Sequence, residues 1–413
     1  MSRFDEEIGQ RLTAIREQGL YRELRRVDSP QGTRIEVAGR TLVNFSSNDY
    51  LGLANHPALK DATIRAVEKH GAGSGSARLI CGSLAPHHKL EEALAAFKGT
   101  EAALSFSSGY ATALGTTPAL VGKEDFIIVD KLVHACIVDA ARLSGAKLRV
   151  FKHNDLDDLK RILKWSAAQR KSWRPSFSLS GSTLKRDLQP PRILIVTESI
   201  FSMGGDAAPL AEIVALKKKY GAWLMVDEAH ATGLYGPHRR GLAEELGVAG
   251  QIEIQMGTLG KALGASGGYI CGSRKLIDFL INRARSFIFS TAPVPATAAA
   301  ATAAITLVQS NAGEERRKLL WQRVGELRAK LAISNSLLPS AIIPILVGDE
   351  TEAVKLASTL RAHGLFIPAV RYPTVARGAA RLRVTLTAAH TADDIAHLFT
   401  ALKAVGCKLQ PAN

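Results

Sequence analysis

Trp223-Leu-Met-Val-Asp227-Glu-Ala-His230 and, further on, Ile252-Glu-Ile-Gln-Met256 running into Gly257-Thr-Leu-Gly-Lys261-Ala-Leu-Gly-Ala-Ser-Gly-Gly268 decide the fold of this chain. Each opens on a short, largely apolar run, which suits a strand covered on both faces by helices. Each then breaks into polar or glycine-rich sequence. In open α/β sheets functional groups gather beyond the carboxyl ends of the strands. An acid and an imidazole after a strand are ordinarily an ion pair or a cap, and a lysine among glycines is ordinarily a solvated turn. Here both follow apolar runs, and Asp227 and Lys261 stand 34 residues apart, about one helical crossover plus a strand. That spacing predicts neighbouring strands.

Working outward, similar runs recur at Ala103–Phe106, Phe126–Val129, Leu148–Phe151, Ile193–Val196 and Gly268–Cys271, separated by amphipathic stretches. The pattern predicts an α/β layer architecture with a largely parallel sheet. Toward the N-terminus a helix is expected over Glu6–Leu24, then a hairpin of Arg34-Ile-Glu-Val and Thr41-Leu-Val-Asn turning at Ala38-Gly39. Beyond Asn311 come a helix, a strand at Ile342–Val347, another helix and a strand at Arg381–Leu386, a smaller α+β domain. We therefore expect an N-terminal arm (1–50), a large domain (51–300) and a small C-terminal domain (301–413).

With 413 residues, 46% hydrophobic and 22% charged, the chain can bury a sizeable core, which excludes a disordered or fibrous protein. The four cysteines are scattered, with no C-x-x-C pair, which fits buried free thiols, a reducing compartment and no metal site. The polar, acidic start MSRFDEEIGQ lacks the character of a secretory or transit signal, so the expected location is the cytoplasm. The uncharged run Thr291–Val308 is too rich in Ala and Thr for a membrane span and reads as a buried helix. Of the net charge of +15, about half lies between Arg161 and Arg192, where eight basic residues face one acid. The basic, serine-rich part of that segment, about 165–190, reads as an exposed loop.

Other strand ends carry further candidates. Ser107-Ser-Gly109-Tyr110-Ala-Thr112 opens a helix, whose free N–H groups and dipole favour an anion. His134 follows Phe126-Ile-Ile-Val-Asp130, Ser202 lies in a turn, and Ser290-Thr291 precede the Ala-rich helix. Together these parts describe a site for pyridoxal 5'-phosphate: an acid for the protonated pyridine nitrogen, a lysine for the Schiff base, an imidazole to cover the ring and an anion site for the phosphate.

The ordered set resembles the α-oxoamine synthases, pyridoxal-phosphate enzymes of the aspartate-aminotransferase fold, also called fold type I. The resemblance rests on Asn44-Phe-Ser-Ser-Asn48-Asp-Tyr-Leu-Gly-Leu53, Asp227-Glu-Ala-His230, Thr258-Leu-Gly-Lys261 and Thr385-Leu-Thr-Ala-Ala-His390, and covers nearly the whole chain. Val370-Arg371-Tyr-Pro-Thr374-Val375 and Ala380-Arg-Leu-Arg383 most resemble the branch that joins L-alanine to a pimeloyl thioester of CoA or acyl carrier protein in the biotin pathway. Glycine acetyltransferases usually differ around Arg371 and Thr374.

The resemblance implies Lys261 as the Schiff-base lysine, Asp227 as the partner of the pyridine nitrogen, His134 stacked on the ring and His230 donating to the ring oxygen. It implies that Gly109, Tyr110, Ser202 and Thr258 hold the cofactor. Ser290 and Thr291 would reach the phosphate of the neighbouring subunit, hence a homodimer with shared sites. Arg383 and Asn48 would bind the amino-acid carboxylate, and Thr374 and Arg22 the acyl substrate. The sequence departs from the family pattern in the length of the 165–190 stretch and in Ala376, where a proline is common.

Three alternatives remain open at this point. Glycine acetyltransferase would use the same lysine and acid. A catalytically inactive subunit would keep only the fold, although Lys261, His134 and Asp227 argue against it. A nucleic-acid-dependent ATPase shares the Asp-Glu-Ala-His signature, but a phosphate loop needs G-x-x-x-x-G-K-[ST], whereas Gln255 and Ala262 occupy its first and last positions. No basic strip interleaved with aromatics is present to stack bases, so neither nucleic acid nor a membrane is an expected partner.

Overall fold

The structure is a computed structural model describing residues 2–173, 189–333 and 338–406. Of the basic serine-rich stretch read as a loop, residues 165–172 instead continue helix Leu156–Ser172, on which Ser166 is buried, and 174–188 lie outside the described residues. The chain forms two compact units, one of residues 1–55, 202–205 and 315–413, the other of 56–201 and 206–314.

The chain opens with helix Arg3–Glu17, capped by Ser2. It ends earlier than the sequence pattern suggested, because Gly19 takes a positive φ of 66° and its N–H turns back to the Arg16 carbonyl. The hairpin is where expected: β1 (Arg34–Val37) and β2 (Arg40–Asn44) are antiparallel, and Ala38 and Gly39 take φ 51° and 72° in the turn. Two positive φ values give the twist that a two-residue hairpin requires. Ile35, Val37 and Leu42 form its apolar side.

The second unit is built on seven strands: β3 (Ala102–Phe106), β4 (Phe126–Asp130), β5 (Lys147–Phe151), β6 (Ile193–Glu198), β7 (Trp223–Asp227), β8 (Ile254–Thr258) and β9 (Gly268–Gly272). They lie in the order β3-β9-β8-β7-β6-β4-β5. β5, β4, β6, β7 and β8 run parallel, and β9 is antiparallel to both β8 and β3. The strands other than β5 are buried almost throughout, which is why their sequences lack polar alternation. β5 is an edge and exposes Lys147 and Arg149, charges that discourage further pairing. Leu194, Val196 and Met225 are fully buried, each contributing about 1.5–3 kcal/mol of burial. The β7–β8 connection carries the short helix Leu242–Glu245 and a single 3-10 turn, Ala249–Gln251, in place of the one helical crossover that the spacing suggested. The uncharged run forms helix Pro295–Gln309, whose small alanines pack against helices Pro57–His70 and Ala85–Lys98.

In the first unit, β10 (Ile342–Gly348), β12 (Ala369–Val370) and β13 (Ala380–Thr385) form an antiparallel sheet in the order β10-β13-β12, and β11 (Leu365–Phe366) joins β2 in parallel. Helices Glu350–Ala362 and Ala392–Ala404 complete this α+β part. Cys136 and Cys271 are buried free thiols, whereas Cys81 is exposed, against the sequence reading. Among the described residues no helix is long and apolar enough to cross a membrane, and no group of side chains could hold a metal ion.

Candidate active site

Strand order carries the chemistry. β7 and β8 are neighbours, Asp227 pairs in register with Met256, and Lys261 stands three residues past the end of β8. Both side chains line one cavity of about 170 Å³, together with Gly109, Tyr110, His134, His230 and Thr258. Seven residues singled out from the sequence thus meet at the strand ends of one sheet.

Asp227 is buried and accepts the Ala229 N–H on Oδ1 at 2.9 Å. Burial pushes its pKa up, while Lys261, that N–H and His134 pull it back. Nζ of Lys261 lies 2.7 Å from Nε2 of His230, so the amine is already oriented by the imidazole. The glycine-rich loop closes on itself: the Leu259 N–H donates to Gly267, the Ala265 N–H to Leu259, and the Thr258 hydroxyl to the Gly267 carbonyl at 3.0 Å.

Opposite the loop, β3 runs into helix Gly109–Leu120, capped by Ser108, whose hydroxyl accepts the Ala111 N–H at 3.0 Å. The Gly109 and Tyr110 amides open that helix and have no place in its ladder. Gly268 lets the helix start sit close to β9, since a Cβ there would lie 2.4 Å from Thr112 Oγ1 and 2.8 Å from the Gly109 nitrogen. The Tyr110 hydroxyl donates to Asp139 at 2.7 Å, an interaction that raises its own pKa. His134 caps helix Ala135–Ser144. Partial burial lowers its pKa, and the Asp227 charge opposes that shift.

These groups fit pyridoxal 5'-phosphate. Burial works against the Asp227 charge, and a protonated ring nitrogen is a cation that would offset it. Lys261 offers the amine and the helix start an anion site.

Two neighbours of the cavity were missed in the sequence. Glu198 ends β6 in register with Asp227, and Cys136 lies two residues after His134; both line the cavity. Glu198 carries the same signal as Asp227, an acid directly after a buried run.

The other candidates are not among the residues that line this cavity. In the first unit Arg383 is buried, with Nε donating to the Ser202 carbonyl at 2.6 Å, Nη1 to Thr385 Oγ1 at 2.9 Å and Nη2 to Tyr50 at 3.4 Å. The Tyr50 hydroxyl donates to Asn48 Oδ1 at 3.3 Å, so Asn48, Ser202 and Arg383 form one network. Arg22 donates to Thr374 Oγ1 at 3.4 Å and to the Tyr372 carbonyl. These two residues line a cavity of about 650 Å³ in that unit with Arg16, Arg25, Arg361 and Arg371. Ser290 and Thr291 do not line the Lys261 cavity; Thr291 forms a β-bridge with Ala77, and Ala292 donates to Ser76.

Residues 40–402 match the family model for class I and II aminotransferases. The chain is 46% identical to 8-amino-7-oxononanoate synthase of Geotalea daltonii, over 97% of this chain and 98% of that protein. It is 43% identical to the Herminiimonas arsenicoxydans enzyme of the same name, over 95% and 97%. Among solved structures it resembles serine palmitoyltransferase of Sphingomonas wittichii, with a TM-score of 0.84, 30% identity and 98% of both chains covered. It also resembles 8-amino-7-oxononanoate synthase of Francisella tularensis, with a TM-score of 0.69, 27% identity and coverage of 88% and 96%.

Proposed function

Because this chain belongs to the class I and II aminotransferases and, within them, to the α-oxoamine synthases, we propose that it condenses L-alanine with a pimeloyl thioester to give 8-amino-7-oxononanoate in biotin biosynthesis. Carbon dioxide and the carrier thiol are released. The observation that carries the reading is the meeting of a buried carboxylate, an amine and two imidazoles in one cavity at neighbouring strand ends.

The cofactor, pyridoxal 5'-phosphate, supplies an aldehyde that takes up the amino acid and an electron-accepting ring that stabilises the charge left when the α-proton departs. Lys261 would hold the cofactor's aldehyde through its amine, and that amine, when free, would move the substrate's α-proton. Asp227 would keep the ring nitrogen protonated. His134 would cover the ring, and His230, which lies beside Lys261, would donate toward the ring oxygen. Gly109, Tyr110, Ser202 and Thr258 complete the hold on the cofactor. Arg383 and Asn48 orient the alanine carboxylate, the fork of Arg383 being pre-set by the Tyr50 network. Arg22 and Thr374 bind the acyl end, where the arginine-lined cavity suits an anion.

The working form is a homodimer in which Ser290 and Thr291 serve the partner's cofactor phosphate. Supporting this, Ile80, Phe289 and Val294 near that segment are exposed and apolar. The scattered thiols fit a cytoplasmic setting.

The test incubates purified enzyme with alanine or glycine against pimeloyl-CoA, pimeloyl-acyl carrier protein and acetyl-CoA, and identifies the product by mass. Alanine with a pimeloyl thioester should give the 8-amino-7-oxo acid. An exclusive product from glycine and acetyl-CoA replaces the reading. Borohydride reduction and peptide mapping should place the cofactor on Lys261.

A further inference from the structure

His134 occupies the N-cap of helix Ala135–Ser144, a position whose side chain can accept a backbone N–H. It does so through Nδ1, which accepts the Cys136 N–H at 3.3 Å. The Cys136 Sγ lies 3.0 Å from the same nitrogen. A backbone N–H can only donate, so Nδ1 must present its lone pair, and the proton of the neutral ring must sit on Nε2. Burial pushes the Cys136 thiol well above its ordinary pKa, so the sulfur keeps its hydrogen and is a second donor to Nδ1. The charged groups acting on the ring are Asp227 and Lys261 from the neighbouring strand ends and Asp139 from its own helix.

We infer that Cys136 is a positioning residue: with the helix cap it locks His134 as the Nε2–H tautomer, so this imidazole meets the substrate as a hydrogen-bond donor and not as a proton acceptor. The inference deepens the proposed function, since the group to be met is a carboxylate or thioester oxygen of that reaction. Such a donor stabilises negative charge developing on oxygen. Charging the ring would place a hydrogen on Nδ1, facing the Cys136 N–H and thiol, and both bonds would break.

The tautomer is read directly in 15N spectra of the histidine-labelled holoenzyme without substrate. His134 is assigned by its loss in His134→Asn, a substitution that can still cap the helix. The expected spectrum shows an unprotonated Nδ1 and a protonated Nε2 at neutral pH; a protonated Nδ1 overturns the inference. Cys136→Ala should move the protonation of His134, and the acid limb of the rate profile, upward by roughly half a pH unit, the worth of a weak hydrogen bond. Cys136→Ser should restore both. An unmoved titration in Cys136→Ala removes the thiol from this role, and the wild-type spectrum decides the tautomer even if that variant does not fold. Because the spectra need no turnover, a wrong tautomer and a wrong reaction are separate results.

Discussion

Replacing His153 by glutamine should weaken the protein at neutral pH and leave it nearly unchanged at alkaline pH. His153 stands two residues beyond β5, with Nδ1 2.9 Å from Asp130 Oδ1 and Nε2 2.7 Å from Asp206 Oδ2. Carboxylates on both nitrogens require both to carry hydrogen, so the ring is an imidazolium. Burial opposes that charge, but the bonds to Asp130 and Asp206 outweigh it and lift the pKa to about 9. Set against the ordinary value near 6.5, the shift corresponds to roughly 3 kcal/mol at 1.4 kcal/mol per unit. The Asp206 side chain is 42% exposed, so screening reduces the figure to about 2 kcal/mol. As the folded value is raised, this stability is fully present below about pH 6.5, declines between 6.5 and 9, and is gone above. Urea unfolding of wild type and His153→Gln from pH 6 to 10 measures it, and groups common to both proteins cancel in the difference. A difference that stays flat across that range refutes the reasoning. Asp130 also accepts the Leu132 and Asn154 N–H groups, each at 2.8 Å, so the clamp steadies the turn that leads to His134.

Lys98→Met should destabilise the protein by about 3–5 kcal/mol in urea unfolding, because it strands Glu228, whose carboxylate lies 2.5 Å from Nζ with both side chains 1% exposed; adding Glu228→Gln should recover part of the loss. Gly268→Ala should cost about 1–3 kcal/mol of overpacking and loosen cofactor retention, measured by cofactor absorbance after dialysis, since its Cβ would displace the start of helix Gly109–Leu120. Arg383→Lys cannot keep bonds to Ser202, Thr385 and Tyr50 at once. It should raise the alanine KM by about tenfold or more, and an unchanged KM removes Arg383 from the site.

The fold was legible where burial leaves a simple trace. Runs such as Phe126–Val129 and Ile193–Val196 are strands because strands covered on both faces need no polar alternation, and strand adjacency followed from the short distance between Asp227 and Lys261. The N-terminal helix was read too long because Leu20 and Leu24 continue an apolar pattern that Gly19 ends. Glu198 is less conspicuous than Asp227 because Ser-Ile-Phe-Ser202 follows it, with no second ionisable group to mark the strand end. The tautomer of His134 has no sequence signature, as it depends on where a helix begins and on which nitrogen faces it. The partners of Arg383 were equally hidden, because Tyr50, Ser202 and Thr385 are distant in the chain.

The seam between β2 and β11 joins Val43 to Leu365 and Asn44 to Phe366, and His390 stacks on Phe45, the residue after β2. At about 5–20 residues per second of synthesis, the roughly 320 residues between these partners take some 15 to 60 s to emerge. For that time the Val43 and Phe45 N–H groups, which bond the Gly364 and Phe366 carbonyls in the finished fold, wait beside the ribosome without those partners. Nascent chains halted before residue 365 should therefore bind holdase chaperones through the β1–β2 hairpin and release them once β11 has been made. The hairpin is thus completed by a segment made some 320 residues later, and a message stalled before that segment leaves β2 open to proteolysis.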